Sequence, residues 1–366
     1  MKVLVVAPSL WNTAPGSRFR IEQWMPLMKR DGFEFTYAAF EDEQLHRVIY
    51  ADGRYGAKAW HTLRAVGRRL ALLRDLKEFD LVFLYEEASK VGPAVIERMM
   101  QRSGIPIVFD FCDPIYLGYK SLKNKYLSYL KCPSKTDAIC RLSTLIIVGN
   151  PDLEQYARQF NDRVAIVPIT IDVEEYQASD RSRWTGTPVI GWSGSHSTVR
   201  HLDTAREALQ QARRRAAFTL RILGTPQYEL PGVEVEPEDW RPDLEKPHFQ
   251  SVDIGIMPLP GDEWTRLRSH LKVRQYMASA VPCVASPVGV ITELIQDGVN
   301  GFLASSAEEW TEKLGLLLSN ADLRRRMGAR ARQTIVDGYS GQHWAPRVGA
   351  MLRSVAQQQA ALAAGR

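Results

Sequence analysis

Arg268 and Lys272 lie about one helical turn apart in the segment RLRSHLKVRQYMASAVPCVASPVG, which begins at Arg266. Ser269 can cap a helix that runs to about Ala280, so both cations are predicted at the N-terminal end of that helix. The apolar residues of the helix and the strand-like run after it predict burial, although dispersed cations also occur on surface helices. Because a buried helix that begins with cations needs an anion, the segment predicts a diphosphate site.

A turn of small residues, SGSHST (193–198), follows the apolar run VIGW and precedes HLDTAREALQQARR, which has helical periodicity. Small residues allow backbone N–H groups to approach an anion at a helix N-terminus, where the helix dipole favours negative charge. The same residue types are also ordinary for a turn and a helix cap. The turn therefore supports a phosphate site when it is taken together with the cationic segment.

Both segments follow apolar runs, and such runs alternate with amphipathic stretches along the whole chain. This alternation predicts parallel sheets wrapped by helices, with ligands bound outside the carboxyl ends of the strands. The same alternation begins again after a polar stretch, so we predict two doubly wound, Rossmann-like halves that face each other. The predicted strands are KVLVVAPS, FEFTYAAF, DLVFLYE, IPIVFDF, STLIIVGN and RVAIVPI in the first half, and TPVIGWSG, FTLRILG, VDIGIMPLP, VPCVASPVG and GFLA in the second.

The polar stretch ITIDVEEYQASDRSRWTGTP (169–188) is the predicted connection between two domains. A chain of 366 residues exceeds the usual size of one domain, which agrees with two cores. We place the first domain at 1–170 and the second at 171–341. The remaining residues, 342–366, are predicted to form a helix that crosses back onto the first domain.

The formal net charge of +5 is concentrated in the first half of the chain, where residues 1–168 hold 24 Lys/Arg and 19 Asp/Glu. The runs 58–77 and 119–135 are the most basic segments. Such runs are either solvated helix faces or surfaces that contact anionic lipid. With no apolar run long enough to span a membrane, we expect a cytoplasmic protein, with peripheral contact at the inner face of the membrane as the alternative that these runs permit.

The four cysteines, Cys112, Cys132, Cys140 and Cys283, have neither metal-ligand spacing nor a redox C-x-x-C pattern. We therefore expect reduced thiols, no metal site and no cofactor. Nothing in the sequence indicates a nucleic-acid partner.

Over essentially its whole length the chain resembles the family 4 glycosyltransferases, which are group 1 enzymes with the two-domain architecture called GT-B. The resemblance implies two Rossmann-like domains that face a central cleft, with a nucleotide-sugar donor bound by the second and an acceptor by the first. The segments that carry it are SRFRIEQW (17–24), VFDFCDPIY (108–116), IIVGNPDLEQYA (146–157), IGWSGSHST (190–198) and PLPGDEWTRLRSHLKVRQYMASAVPCVASPVGVITELIQDGVNGFLA (258–304).

For the donor, the resemblance implies that Arg268 and Lys272 are catalytic residues that hold the diphosphate and stabilise negative charge on the leaving group. Gln275 stands where many relatives have a Glu that hydrogen-bonds the ribose, and an amide oxygen can accept the same bond. Glu293 is placed on the nucleotide side, although it could equally cap the next helix. The full set of implied donor-binding residues is Gly194, Ser195, Thr198, Gln275 and Glu293.

For the acceptor, the resemblance places Gly16, Ser17 and Arg18 in a loop that follows the first strand and faces the cleft. A plain turn with a solvated arginine is the alternative. Asp110 and Asp113 follow the fourth strand, where either could orient or deprotonate an acceptor hydroxyl, with Asp113 as the candidate catalytic base. Helix capping is the alternative for these aspartates.

The chain departs from the family pattern at two places. Leu267 and Gln275 stand where many members have a pair of glutamates, which puts the contacts to the donor sugar in doubt. Cys112 replaces one carboxylate of the Asp-x-Asp-Asp pattern that usually follows the fourth strand.

The resulting prediction is an enzyme that moves a hexose from a nucleotide-diphosphate sugar to a hydroxyl-bearing glycan, glycolipid or small molecule, with retention of configuration, in bacterial glycan or glycolipid biosynthesis. Retention would use a phosphate oxygen of the donor as proton acceptor, so that no protein base is required. Two alternatives remain: a sugar-nucleotide epimerase of the same fold, and a silent partner subunit that binds nucleotide without turnover.

Overall fold

A computed structural model describes residues 1–49, 51, 53–117, 132, 134–178 and 186–364. The chain divides into two compact units. The first comprises Met1–Ile169 and Trp344–Arg366, and the second comprises Thr170–His343. Part of the predicted connection, 179–185, lies outside the described residues.

The first unit contains a six-stranded sheet in which every pair of neighbouring strands is parallel. Its strands are β1 (Lys2–Ala7), β2 (Glu34–Ala39), β3 (Leu81–Tyr85), β4 (Ile107–Phe111), β5 (Leu145–Val148) and β6 (Val164–Ile166). The strand order is β2-β1-β3-β4-β5-β6, so β1, β3 and β4 lie side by side in the interior of the sheet. Every residue of β3 and β4 is buried, as expected for strands covered on both faces.

Helices cover both faces of this sheet. They are α1 (Pro15–Ser17), α2 (Gln23–Lys29), α3 (Glu43–Ile49), α4 (Tyr55–Leu72), α5 (Val95–Arg102), α6 (Lys135–Leu142) and α7 (Pro151–Ala157), together with a π-helical turn at Arg18–Glu22 and a 3-10 turn at Leu76–Glu78. The C-terminal helix completes one face, because Val348 and Leu352 belong to the same buried cluster as Val5 and Trp24. The opposite face is a second cluster that includes Leu84, Phe109 and Met100.

The second unit contains another six-stranded parallel sheet. Its strands are β7 (Val189–Ser193), β8 (Thr219–Leu223), β9 (Glu234–Glu238), β10 (Ile254–Met257), β11 (Cys283–Ala285) and β12 (Phe302–Leu303). The order is β12-β11-β10-β7-β8-β9, which again places the first strand of the unit in the interior.

The helices of the second unit pack around this sheet, with Leu209 and Leu314 in one buried cluster with Ile190 and Ile222. They are α8 (Arg206–Arg215), α9 (Pro242–Ser251), α10 (Glu263–Arg266), α11 (Leu271–Ala278), α12 (Ile291–Leu294), α13 (Ala307–Ser319), α14 (Ala321–Gly338) and α15 (Gly341–Ala364), the last of which continues into the first unit, and a 3-10 helix at Val199–Ala205 precedes α8.

Strand β9 is absent from the sequence prediction. Its residues, EVEPE, alternate between exposed and half-buried, and Pro237 interrupts the run. Acidic residues and proline are typical of an edge strand, which needs only one hydrogen-bonded neighbour. A search for apolar runs therefore does not find it.

Two basic runs were singled out in the sequence. The first coincides largely with α4, while most of the second, residues 119–131 and 133, lies outside the described residues. Among the helices that the structure describes, none has the length and apolar character needed to cross a membrane.

Candidate functional site

The cationic segment of the second unit follows β10 as two short helices. Asp262 caps α10, because its carboxylate accepts a hydrogen bond of 2.8 Å from the Thr265 N–H. The next helix, α11, begins at Leu271 and ends at Ala278, so the predicted helix from Ser269 to about Ala280 is too long at both ends. His270 occupies the cap position in the left-handed conformation, with φ +47°, and the prediction that Ser269 is the cap is wrong.

Lys272 lies in the first turn of α11 and is only partly exposed. Its ammonium group lies 5.6 Å from the centre of the Trp192 ring, at the end of β7. The pKa of Lys272 is lowered to about 7, chiefly by burial and also by the nearby Arg268, while Glu245 opposes both effects. An anion bound here would therefore relieve the cost of holding a charged ammonium group in this position.

The pKa values of two histidines are lowered by burial and by the positive charges near Arg268. Burial lowers the pKa of His270 to about 3, with Arg274 and Arg268 as further causes. Burial also lowers the pKa of His201, and Arg200, Lys272 and Arg268 contribute while Asp262 opposes them. His201 belongs to the 3-10 helix after the small-residue turn, so the two segments predicted to bind phosphate lie within electrostatic reach of each other. No pattern in the sequence identifies His201 or Trp192 as a site residue.

The small-residue turn packs tightly against the sheet. A Cβ atom at Gly194 would overlap the ring of Trp192, and one at Gly224 would overlap the Gly194 carbonyl oxygen. The Gly194 N–H donates to the Leu223 carbonyl at 2.9 Å, and the Ser195 N–H donates to Thr198 Oγ1 at 2.9 Å. Gly194 therefore provides space beside Trp192 and Lys272, while its N–H group already has a partner within the unit.

The hydroxyl groups of the turn form a connected set at its surface. Ser195 Oγ lies 2.9 Å from Ser197 Oγ and 3.3 Å from Thr198 Oγ1. The segment that follows begins as a 3-10 helix of 7 residues, Val199–Ala205, and the predicted α-helix starts only at Arg206, with α8. Exposed hydroxyls, rather than the dipole of a long helix, are what this turn offers to an anion.

Gln275 lies on the buried side of α11. Its amide nitrogen donates to the Tyr176 hydroxyl at 2.7 Å and to the Glu245 carboxylate at 2.8 Å, and the Tyr176 hydroxyl donates to Glu245 at 2.9 Å. Gln275 is only 2% exposed. The structure thus gives Gln275 a role in holding α11, and a contact with a ribose stays a prediction.

Glu293 is exposed on the short helix α12. The turn before this helix contains Gly289, with φ +55°, where a Cβ atom would overlap the Arg266 carbonyl oxygen. Only glycine combines this backbone conformation with so close an approach. The turn that carries Glu293 is therefore fixed against the cationic segment.

In the first unit, Asp110 is completely buried and forms an ion pair with the guanidinium group of Arg20. Arg20 Nε lies 2.7 Å from Asp110 Oδ2, and Arg20 Nη1 donates to the Val167 carbonyl at 2.7 Å. Burial lowers the pKa of Arg20, and Asp110 more than offsets this, so the pKa lies above its ordinary value. Both carboxylate oxygens of Asp110 serve this buried pair, and a role for Asp110 at the acceptor stays a prediction.

The loop after β1 carries the other residues predicted to bind the acceptor. Ser17 is buried and donates to the Ala14 carbonyl at 3.2 Å, while Arg18 is partly buried beside the Phe19 ring. A Cβ atom at Gly16 would overlap the Tyr85 hydroxyl at the end of β3. The structure therefore brings this loop against the carboxyl end of β3.

Asp113 follows β4 at the same edge of the sheet and is partly exposed. Its carbonyl accepts the Ile115 N–H at 2.8 Å, which closes a tight turn. Gly16, Tyr85 and Asp113 thus gather at the carboxyl ends of three adjacent strands. Among the described residues, no group of His, Cys, Asp and Glu side chains could hold a metal ion.

Comparison with known proteins defines the class to which this geometry belongs. Residues 187–320 match the family model described as "Glycosyl transferases group 1". The chain is 26% identical over 223 residues to the D-inositol 3-phosphate glycosyltransferase of Nocardia farcinica; the match covers 53% of this chain and 47% of that protein. The chain therefore spans about half the length of this curated relative.

Solved structures resemble nearly the whole chain. Sucrose-phosphate synthase from Thermosynechococcus elongatus gives a TM-score of 0.67 at 12% identity over 97% of this chain and 99% of that one. The Anabaena protein HepE, solved in complex with UDP and glucose, gives 0.65 at 14% identity over 97% and 100%. Residues 187–320 of the second unit are thus similar to group 1 glycosyltransferases, and the two Rossmann-like parallel sheets have the GT-B fold. The predicted fold class is confirmed.

Proposed function

We propose that this protein is a family 4 glycosyltransferase that moves a hexose from a nucleotide-diphosphate sugar to a hydroxyl acceptor. The observation that carries the proposal is the placement of Lys272 beside Arg268 and over the Trp192 ring, at the carboxyl end of the parallel sheet. Ligands of such sheets bind at this edge. The group 1 domain match to 187–320 supports the same assignment independently.

The chemistry follows from the charge that develops in the reaction. As the glycosidic bond breaks, negative charge grows on the leaving diphosphate, and fixed cations in a partly water-excluded site stabilise it. Arg268 and Lys272 supply these cations, and the hydroxyls of Ser195 and Thr198 are proposed to donate hydrogen bonds to the phosphate oxygens. Glu293 is proposed to contact the nucleotide from the Gly289 turn.

We further propose that the acceptor binds to the first unit at the loop of Gly16, Ser17 and Arg18, with Asp113 beside it. Transfer is proposed to retain the configuration, with a phosphate oxygen of the donor taking the proton of the acceptor hydroxyl. The acceptor belongs to bacterial glycan or glycolipid biosynthesis, in line with the bacterial sugar-transferring relative. NMR of the anomeric proton of the product tests retention directly.

A peripheral contact with the inner face of the cytoplasmic membrane is proposed for α4. Its outward face carries Trp60, Leu63 and Leu70, which are 60%, 64% and 43% exposed, together with Arg64. The sequence contains no acidic residue from Tyr55 to Leu72. Exposed apolar side chains among arginines are suited to an anionic lipid surface.

Not all of the basic run faces outward. Arg69 is buried and donates to the carbonyls of Ala7 and Ala88, and burial lowers its pKa to about 10. Lys58 is also buried, with its ammonium group 5.8 Å from the centre of the Tyr55 ring. Arg69 therefore holds α4 to the first unit, and Arg68 does so as well, because it forms an ion pair with Asp42 at 2.6 Å. The proposed contact with lipid falls to Arg64 among the arginines of α4.

The experiment that tests the main proposal is nucleotide binding and sugar transfer by Lys272→Ala. We expect the wild-type protein to be stabilised by a nucleoside diphosphate, by about 2.7 kcal/mol at ~100 times its dissociation constant. We expect the variant to lose this stabilisation and most turnover while it keeps its unliganded melting temperature. Lys246→Ala is the matched control, because Lys246 belongs to the same unit but forms a surface ion pair with Glu175 at 2.9 Å.

Normal nucleotide binding and transfer by Lys272→Ala would contradict the proposal. Product analysis separates the alternatives from the same assays. Conversion of the donor sugar without acceptor would indicate an epimerase, and tight nucleotide binding without any turnover would indicate a silent partner subunit.

A further inference from the structure

Glu86 is an unusual residue at the carboxyl end of β3. Its backbone has φ +55°, in the left-handed region, which is uncommon and strained for a residue that is not glycine. The Glu86 N–H donates to the Asp110 carbonyl at 2.8 Å, and the Glu87 N–H donates to the Tyr85 carbonyl at 2.8 Å. Two backbone hydrogen bonds therefore hold the backbone of Glu86 in this conformation at the end of the strand.

The loop after β1 is shaped around this carboxyl group. A Cβ atom added at Gly16 would overlap the Tyr85 hydroxyl, and it would lie 3.8 Å from Glu86 Oε1. A side chain at position 16 would displace Tyr85 and crowd Glu86. The glycine therefore keeps a half-buried carboxyl group beside the loop that we propose to bind the acceptor.

The surroundings of Glu86 disfavour the ionised form of its carboxyl group. The pKa of Glu86 is raised to about 7, chiefly by burial and also by Asp113 after β4 and the neighbouring Glu87. A hydrogen bond from the Tyr85 hydroxyl and the charge of Lys90 act in the opposite direction. Lys90 is itself committed to an ion pair with Glu41, so it offsets only part of the cost.

Cys112 completes the set of groups around this carboxyl. Its Sγ lies 3.6 Å from the Tyr85 hydroxyl, and burial raises the pKa of the thiol, which is therefore neutral at physiological pH. Glu86 also contributes to this rise. A neutral thiol at this position adds no further negative charge beside Glu86 and Asp113.

We propose that the Glu86 carboxylate binds a hydroxyl group of the acceptor and thereby selects neutral, polyhydroxylated acceptors. The inference rests on the proposed transferase function and names a residue of its acceptor site. An ionised carboxylate only accepts hydrogen bonds, and a sugar hydroxyl donates one. Acceptors with a phosphate or carboxylate at this point are disfavoured, because Glu86, Glu87 and Asp113 would repel them.

The test compares Glu86→Gln and Glu86→Ala with wild type, with UDP-hexoses as donors and methyl hexopyranosides and myo-inositol as acceptors. At saturating donor, we expect Glu86→Ala to raise the acceptor KM roughly 10- to 100-fold, the effect of losing a charged hydrogen bond. Stabilisation by UDP should stay at the wild-type level. Glu87→Gln is the matched control, since it removes a neighbouring negative charge without touching the proposed contact.

The pH dependence distinguishes a binding role from a structural one. In wild type, kcat/KM for the acceptor should rise with pH through about 7 and then level off, because deprotonated Glu86 is the form that accepts the hydrogen bond. Glu86→Gln should remove this rise, whereas Glu87→Gln should only move it to lower pH.

Two results would overturn the inference while the transferase proposal stands: an unchanged acceptor KM in Glu86→Ala, or a pH rise that survives in Glu86→Gln. Wild-type protein that binds UDP and transfers sugar to none of these acceptors would count against the proposed function instead.

Discussion

At the scale of single residues, the second unit holds a lysine whose charge depends on what is bound. Because burial and Arg268 lower the pKa of Lys272 to about 7, its ammonium group is unfavourable in the unliganded protein. The pKa is lowered relative to the unfolded chain, so this cost is greatest below pH 7 and disappears as the pH rises above the ordinary lysine pKa. A bound diphosphate reverses the preference by pairing with the charged form.

This linkage predicts proton uptake on nucleotide binding. At pH 8 Lys272 is roughly nine-tenths neutral, so binding UDP should take up close to one proton, whereas at pH 6 uptake at this residue should be about one tenth. Calorimetry in two buffers with different ionisation enthalpies measures the number of protons. Lys272→Arg, whose charge is fixed, should bind UDP with little proton uptake at pH 8. Equal proton uptake by the variant and the wild-type protein would mean that another group takes up the proton, with His201 the nearest candidate.

Other residues show where sequence reasoning failed at this scale. Asp110 was correctly placed at the end of a buried strand, but its partner Arg20 lies 90 positions away, and only the folded structure reveals the pair. The sequence does not identify Glu86 as a site residue, because a glutamate after a strand is common. Its backbone conformation and its neighbours, which depend on three strands at once, make it unusual.

At the scale of elements, apolar runs predicted eleven of the twelve strands, because a strand buried on both faces carries a signal in every residue. Strand β9 gave no such signal. The start of α11 was predicted one residue early, since the left-handed His270, and not Ser269, occupies the cap position. Local pattern thus predicted which elements exist, and tertiary contacts fixed where they begin.

Helix α4 carries the prediction that belongs to this scale. We expect the protein to sediment with vesicles that contain anionic lipid and to bind neutral vesicles weakly. Trp60→Ser with Leu63→Ser should weaken this binding by removing the apolar contact, and Arg64→Gln should weaken it roughly 5-fold at low salt, at ~1 kcal/mol per cation. Trp240→Ser is the control, as Trp240 is 40% exposed in the second unit. Equal sedimentation of the Trp60/Leu63 variant, or equal binding to neutral vesicles, would exclude this role for α4.

At the scale of the whole molecule, the chain ends in the unit where it begins. Val348, Leu352 and Val355 of α15 are buried with Val3 and residues of α2, so the last helix is a structural part of the first unit. Burying side chains of this size contributes roughly 1.5–3 kcal/mol each. The first unit should therefore depend on residues that follow the whole second unit in the sequence.

Leu352→Ala tests this dependence. We expect a loss of about 2–5 kcal/mol, confined to the first unit, because the cavity lies in the core beneath α15. Limited proteolysis with mass spectrometry should show faster cleavage within 1–169 and unchanged cleavage within 186–343. Leu362→Ala is the matched control, because Leu362 on the same helix is 64% exposed. Equal protection of both variants would mean that the helix is dispensable.

The contact between Gly194 and Gly224 has a consequence for how the donor site can vary over evolution. Gly224 has φ +115°, and any side chain there would strike the Gly194 carbonyl, while any side chain at Gly194 would strike the Trp192 ring. A side chain at Gly194 would therefore require a change at Trp192, and one at Gly224 would require a shift of the Gly194 backbone. Descendants of this protein that keep Trp192 and this turn should keep both glycines.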